Sequence, residues 1–470
     1  MANDLWRWSA TKLANAVHDK TVSSREVVQA HLDRIDAVNA AVNAVTAVLA
    51  DDALAAADAA DASIYASDEV GPLHGVPITV KENIDVAGSA TTQGLLSLRD
   101  SFPERDAPII RHLKNAGAIV IGRTNMPDYG MRWHTDNDLH GATLNPWDPS
   151  RTPGGSSGGE AAALATGMSP LGIGNDMGGS TRQPAINCGV TGLRPSTGRV
   201  SCIMSAIFDD PPMFYEQVAC VNGPMARHIC DLRLALNVMC RADPADPLWI
   251  PAVAPPVSKG DALRVGLITD PSGDGVAPAV ARSLNTAAVI LKKAGYAVEE
   301  IRPPMIEQAD DTIQRLSETE IANYLEDILP VISNDAGKIL NSVIGDGQLD
   351  AANYRDAIAE RYRIAAAWSS LMEHFPLILG PVSTMEAFPV GYDTGGPENM
   401  RRLIRSFRLT ELCNLIGLPS VALPVLIESG MPQGVQIIGR RFDEDRCLDA
   451  AEAIEHAVRL PTPIDPVIAG

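Results

Sequence analysis

The chain reads as an α/β protein, a sheet with helices packed on its faces. Three features carry that reading. Helix-patterned segments followed directly by short apolar runs recur, at 108–122 and again at 276–298; such alternation covers a sheet with helices. The composition, 46 % apolar and 20 % charged, is that of a globular chain with ample length for a core. The 470 residues show no repeat of fixed period.

The elements follow in order. Ser23 and Glu26 have the spacing of a helix capping box. Behind them Val28, Leu32, Ile35, Val38, Val42 and Val45 recur at three- and four-residue steps, which predicts one long amphipathic helix. An Ala/Asp-rich helix follows over about 51–66, so residues 1–66 form a helical N-terminal segment. Val76 to Val80 predicts a strand that ends at Lys81. Pro108 to Ala116 is a helix, Gly117 its stop, and Ala118 to Gly122 a strand. Leu171 to Ile173 is a short strand. Val276 to Ala294 is a helix and Tyr296 to Val298 the strand after it. Residues 305–375 are polar and helix-patterned, a peripheral layer. Val435 to Ile438 is a buried strand and Arg446 to Leu460 a last helix. Pro251 to Ser258 is a Pro-rich surface loop that need not divide domains.

Net charge is −20. Such a chain lacks the basic footprint that binds nucleic acid or an anionic membrane. The longest uncharged stretch, Leu412 to Ile427, is interrupted by Pro419 and Pro424 and is too short to span a bilayer. The start has no basic n-region followed by an apolar run, so no signal peptide is expected. Seven cysteines without a CxxC pair point to a reducing, cytoplasmic setting.

The chemistry is concentrated between Asn145 and Val200. Gly154-Gly155-Ser156-Ser157-Gly158-Gly159 runs into a strong helix start at Glu160-Ala161-Ala162. Asn175-Asp176-Met177-Gly178-Gly179-Ser180-Thr181-Arg182 follows the 171–173 strand. Paired glycines before a serine let successive N–H groups converge on one small cavity, the geometry of an oxyanion hole. Simple Gly/Ser loops are the plain alternative for either stretch alone; two of them, each joined to a strand or helix, favour a built site. Neither matches a phosphate-binding GxxxxGK[ST] or GxGxxG pattern. Gly154 to Gly158 satisfies the G-x-S-x-G of a nucleophile elbow, but the elbow needs a strand before it. Here Pro146, Pro149 and Pro153 make a loop. The S-x-x-K at Ser9 to Lys12 sits in a terminal surface helix and carries no weight. His134 and His140, near Asp136 and Asp138, lack any metal-site pattern. No metal or cofactor is expected.

The ordered run from Asn145-Pro146-Trp147 through GGSSGG, DMGGSTR and Pro184-Ala185 to Gly198 closely resembles the amidase signature family of serine amidohydrolases. The likeness extends to Val80-Lys81-Glu82-Asn83, Thr124-Asn125-Met126-Pro127, Gly223-Pro224-Met225-Ala226-Arg227 and Gly434-Val435-Gln436-Ile437-Ile438-Gly439, so it covers nearly the whole chain. It implies one large α/β domain, residues 1–470, with a central mixed, twisted sheet flanked by helices on both faces. It also implies Ser180 as nucleophile, Ser156 as a relay serine in a cis peptide bond, and Lys81 as terminal base.

Those roles make chemical sense. A serine hydroxyl needs a base within hydrogen-bond reach. A lysine becomes a base when burial strips its ammonium of water, and Lys81 follows the apolar run 76–80. Backbone N–H groups of Met177, Gly178, Gly179 and Ser180 would hold the oxyanion. Asp176 and Arg182 read as a buried supporting ion pair. The resemblance implies a small amide, or a carbamate or anilide, cleaved through an acyl-enzyme, with Tyr129, Met131, Trp133, Ile207, Phe208 and Tyr215 as expected pocket residues; the residues do not rank amides, esters, carbamates and anilides. An ammonia-producing subunit of an amidotransferase is the alternative; the stretch 203–220 departs from that subunit's pattern. A homodimer is compatible with the sequence, which does not fix the oligomeric state.

Overall fold

The computed structural model describes residues 2–66, 70–205, 212–252, 263–344, 350–458 and 460–468. The expected Pro-rich loop lies largely outside them. One 11-stranded sheet organises the chain. In chain order its strands are β1 (Val45–Val48), β2 (Pro77–Lys81), β3 (Ile119–Thr124), β4 (Leu171–Asp176), β5 (Thr191–Arg194), β6 (Val221–Ala226), β7 (Arg264–Leu267), β8 (Ala297–Glu300), β9 (Leu377–Gly380), β10 (Ser420–Glu428) and β11 (Met431–Gly439). Across the sheet they run β1-β3-β2-β4-β6-β5-β10-β11-β9-β7-β8.

The sheet is mixed. β2 lies between β3 and β4 and is parallel to both. β7 is parallel to β8 and β9. The β4–β6–β5–β10–β11–β9 stretch between these blocks is antiparallel. β2, β3 and β4 are buried at every position, as parallel strands covered on both faces must be. Helices pack on the sheet, among them Pro108–Asn115, Ile229–Met239, Pro278–Lys293 and Glu444–Ala457, whose apolar faces join one hydrophobic cluster with β2, β7, β9, β10 and β11. The fold is thus a single α/β domain with a large mixed sheet flanked by helices.

The Ser23–Glu26 capping box forms in both directions; losing such a cap costs about 1 kcal/mol. The helix behind it stops at Val42 rather than running through Val45. Asn43 takes a left-handed conformation, φ 50 and ψ 51. The Asn39 side chain then accepts from the N–H groups of Ala44 and Val45 and donates to the Val45 carbonyl. Val45 starts β1, paired antiparallel with β3. A valine three residues after Val42 satisfies a helix period as well as a strand start, so apolar spacing could not separate them.

The described residues of 305–375 form the helices Ile306–Ala322, Leu325–Ile328, Asn334–Val343 and Ala351–His374. The first and last share a core with the Pro397–Ile416 helix through Ile313, Leu316, Ile364, Trp368, Leu409 and Leu412. The 412–427 stretch is the end of that helix followed by β10. Pro424 sits inside β10 at a shift of register toward Leu426, the irregularity that accommodates a residue without an N–H. No helix among the described residues is long and apolar enough to cross a membrane. The seven cysteines are unpaired.

Candidate active site

The parallel block β3–β2–β4 brings three strand ends to one edge of the sheet. Lys81 closes β2 and Asp176 closes β4. Ligands of α/β sheets gather at the carboxyl ends of parallel strands because the loops and helix starts there offer free polar groups.

Lys81 is fully buried. Its Nζ lies 2.6 Å from Ser156 Oγ and 2.7 Å from Asn175 Oδ1. Asn175 is oriented in turn, its Nδ2 donating to Asn83 Oδ1 at 2.8 Å. Loss of water on burial pulls the ammonium pKa down from 10.5 to about 7, against the opposing fields of Cys220, Asp176 and Glu160. In the neutral state the Nζ lone pair can take the Ser156 proton.

Ser156 follows a cis Gly155–Ser156 bond. The Gly155 N–H donates to Gln183 Oε1 at 2.8 Å, which ties the loop to the Arg182–Cys188 helix. A Cβ on Gly155 would stand 2.4 Å from the Arg132 carbonyl oxygen, so no side chain fits. The next residues enter the Gly158–Ala165 helix, every residue of which is buried. Its run of alanines lets it sit close under β2 and β4.

Ser180 leaves the end of β4 in a tight turn held by Asp176. The Asp176 carboxylate accepts from the N–H groups of Gly179 (2.8 Å) and Thr181 (3.1 Å), the Thr181 hydroxyl (3.0 Å), Asn414 Nδ2 (2.9 Å) and two nitrogens of Arg182 (3.0 and 2.9 Å). Burial opposes its ionisation, but the Arg182 guanidinium and these donors outweigh that and hold its pKa far below the usual carboxylate range. Arg182 also donates to Gln436 Oε1 and Asn414 Oδ1. The expected Asp176–Arg182 pair is therefore present and fully buried. Gly179 has φ +98, a value that favours glycine.

Of the four expected oxyanion donors, Gly179 differs. Its N–H is committed to Asp176, because the carboxylate caps the turn from below. The N–H groups of Met177, Gly178 and Ser180 are not engaged by any described residue. The two serine loops are joined through the backbone, the Ser157 N–H donating to the Ser180 carbonyl at 3.3 Å. The Ser180 and Ser156 side chains are almost buried, 8 and 3 % exposed.

A family model described as Amidase matches residues 26–448. The chain belongs to the amidase family. This amidase is 41 % identical to an indoleacetamide hydrolase of Bradyrhizobium diazoefficiens over 96 % of its own length and 87 % of the relative's. It is 33 % identical to a glutamyl-tRNA(Gln) amidotransferase subunit of Moorella thermoacetica over 97 % of each chain. Among solved structures, it resembles a bacterial aryl acylamidase with a TM-score of 0.84 at 27 % identity, over 97 % of both chains. A 6-aminohexanoate cyclic dimer hydrolase gives 0.84 at 27 % identity, over 98 % of this chain and 99 % of that one. The amidase is thus a hydrolase of carbon–nitrogen bonds other than peptide bonds.

The expected pocket residues are only partly brought together. Trp133 is half-buried, its Nε1–H donating to the Gly178 carbonyl at 3.0 Å and its ring stacked on Phe407 at 4.9 Å. Tyr129 and Met131 are half-buried on the same loop as Gly130, where a Cβ would stand 3.1 Å from Ser156 Oγ. Tyr215 is buried in the cluster with the peripheral helices, its N–H donating to the Glu320 carboxylate. Ile207 and Phe208 lie outside the described residues. His134 pairs with Thr152 Oγ1 at 3.0 Å and His140 faces Glu82 at 3.1 Å.

Several participants are not singled out by sequence reasoning. Asn175, Asn414 and Gln436 carry no spacing signal, since each becomes a partner only through strand register or helix placement. Glu160 is the other. It is fully buried, accepts from Thr124 Oγ1 at 2.8 Å and from Thr79, and burial raises its pKa to about 7, against those hydrogen bonds and the charge of Lys81. A glutamate in the first turn of a helix signals helix stabilisation, which hides its place under the site.

Proposed function

We propose that the amidase cleaves a small amide through a Ser180 acyl-enzyme, with Lys81 and Ser156 as its proton relay. The observation that carries this is the 2.6 Å contact between a fully buried lysine and Ser156 beside the Ser180 turn. Neutral Lys81 takes the Ser156 proton as Ser156 takes that of Ser180. The Ser180 Oγ forms a bond to the amide carbon, and the carbonyl electrons move to oxygen, facing the N–H groups of Met177, Gly178 and Ser180. Collapse breaks the C–N bond, and the leaving nitrogen receives the relayed proton. Water then attacks the ester through the same relay and releases the acid.

Similarity to an indoleacetamide hydrolase favours a primary arylacetamide as substrate, and the half-buried Trp133 suits a flat acyl group. The alternative, an ammonia-supplying component of an amidotransferase, has the lower identity, 33 against 41 %. We place the enzyme in the cytoplasm, where seven unpaired cysteines are stable.

The test is labelling with a fluorophosphonate, followed by mass spectrometry of the modified peptide. Label is expected on Ser180, abolished in Ser180→Ala and slowed by orders of magnitude in Ser156→Ala. An adduct on Ser156, or labelling that survives in Ser180→Ala, would reverse the roles.

A further inference from the structure

The Pro397–Ile416 helix turns one face toward the turn that carries Ser180. A Cβ built on Gly179 would lie 2.7 Å from Thr410 Cγ2 and 4.0 Å from Phe407 Cδ1. Glu411, one helical turn beyond Phe407, reaches Gly178: its Oε1 stands 3.6 Å from where a Gly178 Cβ would be. The Gly178 carbonyl takes the Trp133 Nε1–H, and Trp133 stacks on Phe407 with the two rings 12° from parallel. A flat aromatic wall, a carboxyl group and the Ser180 turn therefore meet around Gly178.

Glu411 is unlike the other carboxyls nearby. Asp176 is saturated with donors, Glu160 takes two threonine hydroxyls, and Glu320 takes the Tyr215 N–H and the Tyr354 hydroxyl. No described residue donates a hydrogen bond to Glu411. The cations whose fields reach it are committed elsewhere, Arg182 to Asp176 and Arg408 to Asp310. It is surrounded by protein yet keeps part of its surface accessible. Burial, with Asp310 adding to it, pushes its pKa up to about 8. Near neutrality it is then mostly the uncharged acid, a hydrogen-bonding group rather than an ion-pair partner. A carboxyl left without partners in such surroundings is costly unless something supplies them.

We propose that Glu411 is a specificity-determining residue that accepts a hydrogen bond from a neutral N–H on the acyl part of the substrate, whose flat ring lies against Trp133. This rests on the reading of Ser180 as nucleophile and Gly178 as an oxyanion donor, which brings the acyl group to the Gly178 side of the turn. A bicyclic ring with an N–H at its edge satisfies both features. A ring of equal size without the N–H leaves the carboxyl unpaired, and a site built around a hydrogen bond rejects such an analogue.

The experiment compares kcat/KM for indole-3-acetamide and 1-naphthaleneacetamide. The wild type is expected to prefer the indole by about 10–100-fold, the range for one buried hydrogen bond and its unsatisfied counterpart. Glu411→Gln retains an acceptor and should keep most of that preference. Glu411→Leu should lower the ratio at least tenfold, through loss on the indole substrate. An unchanged ratio in Glu411→Leu overturns the proposal, as does a wild type that prefers the naphthalene, a result that does not depend on how the variants fold. A wild type that is labelled at Ser180 but cleaves neither amide overturns the arylacetamide class and this inference with it. A wild type that takes no label at Ser180 overturns the nucleophile reading itself.

Discussion

Lys81→Met separates what the lysine does for catalysis from what it costs the fold. Burial moves the Lys81 pKa from 10.5 to about 7. At about 1.36 kcal/mol for each pH unit, keeping this group in the fold below pH 7 costs about 5 kcal/mol relative to an ordinary lysine. Near pH 7 the cost is about 4 kcal/mol. Methionine fills similar volume without a charge. It leaves Asn175 Oδ1 without its donor, a penalty of about 1–3 kcal/mol. The variant should therefore be more stable than the wild type at pH 7, by about 1–3 kcal/mol. At ~2.1 cal/mol/K per residue of unfolding entropy, that is a rise in Tm of about 1–3 °C. Activity should meanwhile fall at least ~10²-fold, the low end for removing a general base.

The pH dependence gives the sharper check. Between the folded pKa near 7 and the unfolded value of 10.5, the unfolded chain binds more protons at this residue, so the wild type gains stability as pH rises through that window. The Met variant lacks this gain. Its advantage should shrink from pH 7 upward and reverse by about pH 10. Glu160 has the opposite sign: its raised folded pKa removes stability as pH rises from 4.5 to about 7. It is present in both proteins, but the charge of Lys81 holds its pKa down, so in the Met variant that pKa rises further and its window extends toward that of Lys81. Differential scanning fluorimetry of both proteins from pH 6 to 10 measures the gap. A gap that stays constant across that range would refute the depressed Lys81 pKa, and a variant within tenfold of wild-type activity would refute its role as base.

Three further outcomes are expected. Plotted against pH, kcat/KM should fall on the acid side with a midpoint near 7, because in the proposed relay only neutral Lys81 takes a proton; a flat profile from pH 5.5 to 8 would contradict this. Asp176→Asn leaves Arg182 buried without its carboxylate and should cost about 3–5 kcal/mol, read as a drop in Tm with slower fluorophosphonate labelling. Gly155→Ala drives a Cβ into the Arg132 carbonyl and should displace Ser156, lowering kcat by about 10²-fold if the shift reaches about 1 Å; unaltered kcat would show that the loop can yield.

The elements legible in the sequence are those whose signal is local. The Ser23 cap, the strand ending at Lys81 and the Pro108–Asn115 helix before β3 each carry their own pattern. β5, β7 and β9 have four residues each, β6 carries Gly223 and Pro224 and β10 carries Pro424, so none shows a strand pattern of its own and each is defined by its neighbours in the sheet. At the site, Lys81, Ser156, Ser180, Asp176 and Arg182 stand out because ordered glycine–serine motifs and a family resemblance mark them. The commitment of the Gly179 N–H to Asp176 is not legible: it depends on how the turn folds over the end of β4. Glu411 is equally invisible, since it lies 231 positions from Ser180 and meets Gly178 only through the packing of one helix.

The buried charges around the site are of two kinds, those fixed in one ionisation state near neutrality and those that titrate there. Asp176, Arg182 and Arg194 are fully buried. Asp176 and Arg182 neutralise one another, while Arg194 donates to the carbonyls of Pro195, Leu418 and Ala219. Their ionisation does not change near neutrality, so the turn bearing Ser180 keeps one geometry across the working pH range. Lys81 and Glu160 form the second set, with folded pKa values both drawn to about 7 and each sensing the other's charge. The proposed relay accepts a proton during serine attack and returns it to the leaving nitrogen, which a lysine near 7 suits: one held at 10.5 would not release its proton to become a base, and one held far below 7 would not take one up. The carboxylates of Asp176 and Glu160 both support the ammonium form of Lys81, that of Asp176 more strongly, so Asp176→Asn should move the acid limb of the profile downward as well as disturb stability and labelling, and Glu160→Gln should move it downward by less. A limb that stays in place in both variants would show that neither carboxylate sets the Lys81 pKa.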